Sequence, residues 1–161
     1  MKFIVDGMLG KLTRWLRMLG HNVKYSNKLD DAQLIAIAKR EKRILLTRDL
    51  ELYQQATAKG VQAFYVDGKT EAEKLAQLAK KFGISLDINM AVSRCPKCNA
   101  QVKPTSKENV RDKVEETTFA CYNEFWHCPK CGQVYWQGAH WTRIRKILEN
   151  AKELTKGKPA E

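Results

Sequence analysis

The chain has no apolar run long enough to cross a bilayer, and Met1 leads straight into Lys2-Phe3-Ile4-Val5-Asp6 without the pattern of a secretion signal. These absences lead us to expect a soluble, cytoplasmic protein with no membrane partner. Acidic charge is scarce as well. Eighteen Asp and Glu stand against 29 Lys and Arg, giving a net charge of +11 and a pI near 9.5. Such a surface favours a polyanionic partner, nucleic acid first, over a protein-interaction adaptor, although basic charge can also serve solubility alone. A secreted disulfide framework is missing too, because four of the five cysteines fall in two Cys-x-x-Cys pairs, a spacing that suits metal ligation. With 161 residues and 43% hydrophobic content, the chain can bury one good core and a small satellite module.

What is present is organised around Leu29 to Tyr53. Asp30 and Asp31 open a run in which Leu34, Ile35, Ile37 and Ala38 recur at helical spacing. The charged Lys39 to Arg43 ends that run, and Ile44 to Thr47 reads as a buried strand. Asp49 follows at once, and Leu50 to Lys59 reads as another helix, stopped by Gly60. Upstream, Lys2 to Asp6 is a strand ending on a carboxylate. Met8 to Leu19 is a helix with Leu9, Leu12, Trp15, Leu16 and Leu19 inward and Lys11, Arg14 and Arg17 outward. Val23 to Ser26 and Val61 to Val66 are further strands, and Glu71 to Phe82 is a helix before Gly83. This alternation predicts an α/β fold with a parallel sheet and flanking helices.

In a parallel sheet the strands point one way, so Asp6 and Asp49 must share an edge, and the helix opened by Asp31 starts from that edge too. Each acid alone is most simply a helix cap or a turn closer. Together they repel and need a cation to stay ionised, and an oxygen-only site suits hard ions such as magnesium or manganese. The second cysteine group, Cys95-Pro-Lys-Cys98 and Cys128-Pro-Lys-Cys131, offers a tetrahedral sulfur site for structural zinc. Asn99 and Gly132, one after each pair, tolerate the positive φ that aims backbone amides at sulfur. Cys121 is left over as a spare thiol. His127 and His140 are expected in packing or RNA contact.

These residues resemble a known family. Asp6 ending the first strand, Asp31-Ala32 opening a helix and Ile-Leu-Leu-Thr-Arg-Asp-Leu at 44–50 are similar to PIN-domain nucleases. Val-Asp-Gly-Met-Leu-Gly-Lys-Leu-Thr-Arg-Trp-Leu-Arg-Met-Leu-Gly-His at 5–21 and the segment from Cys128 to Trp141 narrow the likeness. They resemble the compact subgroup that carries a C-terminal zinc ribbon, the RNase domain also fused to some mutator exonucleases. The resemblance implies a metal-dependent ribonuclease with Asp6, Asp31 and Asp49 as its magnesium- or manganese-binding acids. Fuller PIN domains carry a further acid on a helix before the one matched by Asp31. Gly7 to Leu29 has no counterpart, and Asp30 is the candidate substitute. Thr47 is a candidate to hydrogen-bond a carboxylate or the attacking water, and Lys11, Arg14, Arg17 and Arg48 to hold the RNA backbone.

The expected organisation is a PIN-like domain over 1–93, a zinc ribbon over 94–141 with a mobile insertion near Thr105 to Thr118, and a basic amphipathic helix and frayed tail over 142–161. Phe125, Trp126, Tyr135, Trp136 and Trp141 are expected mainly in the core of the ribbon, with some free to stack bases. The competing function is a non-catalytic RNA- or ribosome-binding protein on the same scaffold. The identity of the RNA, the choice between internal and terminal cleavage, and the oligomeric state leave no signature in the sequence.

Overall fold

The computed structural model describes residues 1–156, so the part of the expected tail at 157–161 lies outside the described residues. Four short parallel strands form the first sheet: Lys2–Val5 (β1), Asn22–Tyr25 (β2), Ile44–Thr47 (β3) and Ala63–Tyr65 (β4). Their spatial order is β2-β1-β3-β4. The register pairs Phe3 with Val23 and with Ile44, and Leu45 with Ala63.

Alternate side chains of a strand face opposite ways, and the two cores follow that rule. Phe3, Val5, Ile44 and Leu46 point to one face, covered by the helix Gly10–Met18 (α1) and by Glu71–Phe82 (α4). Ile4 and Leu45 point to the other, covered by Asp31–Glu41 (α2) and Leu50–Ala58 (α3). Leu12, Leu16, Leu75 and Leu78 are essentially fully buried, each stabilising the fold by about 1.5–3 kcal/mol relative to an exposed side chain. Ile84 and Leu86 extend the first core, whereas Val92 further along is exposed.

The remaining chain forms an antiparallel sheet of Lys103–Thr105 (β5), Phe125–His127 (β6) and Val134–Tyr135 (β7). Between β5 and β6 the expected insertion carries local structure. A 3-10 turn at Lys107–Val110 buries Val110 against Phe125 and Val134, and a short helix, Glu116–Cys121 (α5), follows. The last helix, His140–Thr155 (α6), begins two residues earlier than expected. It packs on α4 and returns Leu148 and Ala151 to the first core.

The first cysteine pair is tied directly to α1 and β2. Ser93 Oγ donates to Met18 O at 2.8 Å, Arg94 N to Arg17 O at 2.8 Å, and Val23 N to Asn99 Oδ1 at 3.0 Å. Arg17, expected to face solvent, is buried within this junction. Its guanidinium donates to Val23 O at 3.1 and 2.8 Å and to Pro96 O at 2.8 Å. The helical geometry accounts for the correction. Arg17 lies one turn beyond the buried Thr13, on the flank of the apolar face, and does not share the stripe of Lys11 and Arg14.

Candidate functional site

In a sheet ordered β2-β1-β3-β4 the connections leave β1 in opposite directions, so the strand order reverses between β1 and β3. A crevice opens at the carboxyl ends of such a strand pair, where α/β proteins place ligands. Asp6 is the residue after β1, and Asp49 stands two residues after β3.

Thr47 joins them. Its side chain is fully buried, and its hydroxyl donates to Asp6 Oδ2 at 2.8 Å while accepting from Asp49 N at 2.9 Å. Asp6 also accepts from Met8 N at 3.3 Å, closing the 3-10 turn Gly7–Leu9 that precedes α1. Tyr25 supports the same turn by donating its hydroxyl to Gly7 O at 2.8 Å. Asp49 is the N-cap of α3, with Oδ1 accepting from Glu51 N at 3.0 Å and Leu52 N at 3.3 Å. Capping and rim position therefore coexist in one residue.

Asp30 is the N-cap of α2 in a reciprocal capping box with Gln33, so its carboxylate serves the helix. Asp31 is the first residue of that helix and is exposed. Its pKa is raised above the ordinary carboxylate range, first by partial desolvation and then by the negative charge of Asp49, Asp6, Glu51 and Asp30. The three expected acids thus share one field, and Glu51 joins them. In the sequence Glu51 looks like an ordinary first-turn helix acid and by itself carries no mark of the rim. Its place two residues past Asp49, in the same first turn, was the available signal. The acids stand wider than a closed ligand shell. Among the described residues, only the four paired cysteines bring three or more potential ligand atoms within 4.8 Å of one another. The N-termini of α2 and α3, partially positive, open onto the rim and favour ionised carboxylates there.

Of the expected RNA contacts, Lys11 and Arg14 are exposed on α1. Arg48 is half-buried and donates to Gly68 O, and Arg17 serves the junction described above.

Cys95, Cys98, Cys128 and Cys131 come together as two facing pairs, with Cys98 Sγ 3.2 Å from Cys128 Sγ and Cys95 Sγ 3.7 Å from Cys131 Sγ. Asn99 and Gly132 both adopt positive φ, 74° and 79°. Cys131 N donates to Cys128 Sγ at 3.4 Å. Burial opposes ionisation of Cys128, yet the amides of Cys131 and Lys130 and the Cys98 thiol bring its pKa down to about 7. A four-sulfur set with amides aimed at it fits a zinc ion. Cys121 is exposed and stands outside the set.

Residues 1–148 match the family model described as the Mut7-C RNAse domain. No curated protein and no solved structure matches the chain.

Proposed function

The chain belongs to the Mut7-C RNAse domain family, a ribonuclease-type family, and on that premise we propose a metal-dependent ribonuclease that hydrolyses RNA phosphodiester bonds at the Asp6–Asp31–Asp49 rim. The single observation that carries the reading is the Thr47 hydroxyl linking Asp6 and Asp49 across the point where the strand order reverses. We read residues 1–93 as PIN-like and 94–141 as a zinc ribbon. The helix within 142–161 packs back on the PIN-like part. A cytoplasmic setting suits two reduced Cys-x-x-Cys pairs.

A magnesium or manganese ion held by Asp6, Asp31 and Asp49 would lower the pKa of a bound water and neutralise charge developing on the phosphate. The chain's own groups do the rest. Thr47 holds the Asp6 carboxylate toward Asp49 by donating its hydroxyl to it. Desolvation and then the negative charge of Asp49 and Asp6 raise the pKa of Asp31, and an arriving cation would offset that repulsion. Lys11 and Arg14 bind phosphates beside the cut. Zinc at the four cysteines would hold the C-terminal sheet and, through Asn99 and Pro96, the edge of β2.

Asp6→Asn and Asp49→Asn test this reading. An asparagine amide oxygen can still accept from the Glu51 and Leu52 amides, so Asp49→Asn keeps the helix cap while removing the charge. Both variants are expected to lose manganese-dependent cleavage of single-stranded RNA by on the order of a hundredfold or more. Thermal stability and RNA affinity should hold. Wild-type cleavage by Asp6→Asn would remove the rim as the site. RNA binding by wild-type protein with no cleavage in either metal would favour the non-catalytic reading.

A further inference from the structure

Between the C-terminal sheet, the first turns of α6 and the end of α1 lies a cavity of about 320 Å³, the size of a small-ligand site. Met18, Met90, Tyr135, Trp136, Trp141 and Ile144 line it. Its polar groups are largely engaged within the protein. Ser93 Oγ donates to Met18 O, Gln133 Nε2 to Val134 O at 3.3 Å, and Trp141 Nε1 to Trp136 O at 3.0 Å. A ligand entering the cavity gains flat apolar contact and few hydrogen bonds.

Met18 connects this cavity to the acid rim. Lys11, Arg14 and Met18 are spaced i, i+3, i+7 and form one stripe along α1. The stripe begins beside the turn closed by Asp6 and ends at the cavity wall, a path on the order of 10 Å from Lys11 to Met18 at about 1.5 Å per residue. Two exposed cations occupy it, Arg94 and His140 lie at the cavity, and the chain carries +11 overall.

Resting on the ribonuclease reading, we propose that the cavity is a base seat. One unpaired base of a single-stranded RNA stacks in it, and the strand runs past Arg14 and Lys11 to the acids. The cationic path selects this occupant, because an apolar peptide gains nothing from it whereas a nucleotide strand needs both phosphate partners and aromatic faces. The engaged polar groups make the seat tolerant of base identity, since stacking does not read the base edge. The seat places one base a few nucleotides from the cut and so sets a minimum substrate length.

Titrations of fluorescein-labelled oligouridylates of about 12 and about 4 nucleotides decide the matter. They are run without magnesium, manganese or chelator, so that nothing is cleaved and zinc stays bound. Trp141→Leu removes a stacking face, and Met90→Trp fills the cavity from the segment before the first cysteine pair. Each should weaken binding of the longer strand about tenfold, leave the shorter one unchanged, and leave the salt dependence intact. Equal affinity of both variants and wild type for the longer strand overturns the seat while leaving the ribonuclease reading standing. If Trp141→Leu loses zinc or unfolds, Met90→Trp decides alone. Failure of wild type to bind RNA overturns both readings. A length-dependent effect in a protein that never cleaves overturns only the ribonuclease reading. Tryptophan emission that responds to protein concentration and not to RNA would assign the cavity to a second copy of the chain and sink the proposal.

Discussion

At Thr47 a single hydroxyl meets two demands that would otherwise conflict. Asp49 N needs an acceptor, and the Asp6 carboxylate needs a donor, and the fully buried Thr47 serves both. Thr47→Val keeps the shape and removes both bonds. The expected result is a stability loss of about 1–2 kcal/mol from the stranded groups, measured by urea unfolding. Cleavage should fall more than this loss explains, and Thr47→Ser should restore it. Full activity in Thr47→Val would reduce the residue to packing. His21 gives a pH prediction. Its ring meets Phe3 edge-on, and burial, followed by neighbouring positive charge that includes Arg94, lowers its pKa from 6.5 to about 4. The fold thus favours the neutral ring, and the unfolded chain binds the extra proton between those two values. Its contribution is whole above about pH 6.5 and is lost as pH falls toward 4. His21→Gln should flatten stability across that window, and an unchanged slope would rule His21 out. Asp6, Asp31 and Asp49 were legible as a group because strand ends and helix starts are readable from periodicity. Glu51 and the burial of Arg17 were not, since first-turn acids are commonplace and a long basic side chain on a helix flank can turn either way.

Among the elements, the loop carrying Cys95 to Asn99 and the edge strand β2 form the informative pair. Asn99 takes its positive φ as the sequence suggested, and its side chain then reaches Val23 N and Asn22 Oδ1. That second role was invisible in the sequence, because nothing local says which strand edge a cysteine turn will meet. The strand order was hidden for a related reason. Amphipathic spacing gives each helix an inward stripe but not the face of the sheet it covers. Two results follow from the pairing. Arg17→Met leaves the Val23 and Pro96 carbonyls without their charged donor and should cost about 2–3 kcal/mol. It should not change the salt dependence of RNA binding, and a reduced dependence would return Arg17 to the phosphate contacts. Cys128→Ser or zinc chelation should raise amide exchange across β5 to β7 and also at Val23, while Leu45 in the central strand stays protected. Val23 exchange that ignores the metal would mean the turn holds its shape without it.

Over the whole molecule, charge and site lie in an instructive opposition. A net charge of +11 draws in a polyanion, yet the proposed cutting edge is a local negative cluster that repels phosphate until a cation arrives. The distribution of cations matters more than their sum. Lys11 and Arg14 are exposed on the helix that starts at the rim, whereas Lys39 and Lys59 are exposed at the far ends of α2 and α3. Net charge was legible in the composition, but this division required the fold. Replacing Lys11 and Arg14 with Gln should reduce the magnitude of the log–log salt slope of single-strand RNA binding by about 1.4, at about 0.7 for each phosphate that is no longer neutralised. The same change at Lys39 and Lys59 removes equal charge and serves as the control. It should lower the association rate slightly at low salt through the weakened long-range field and leave the slope nearly unaltered. If the two double variants show the same slope, Lys11 and Arg14 act only through net charge, and the path along α1 from the rim to the aromatic cavity loses its electrostatic support.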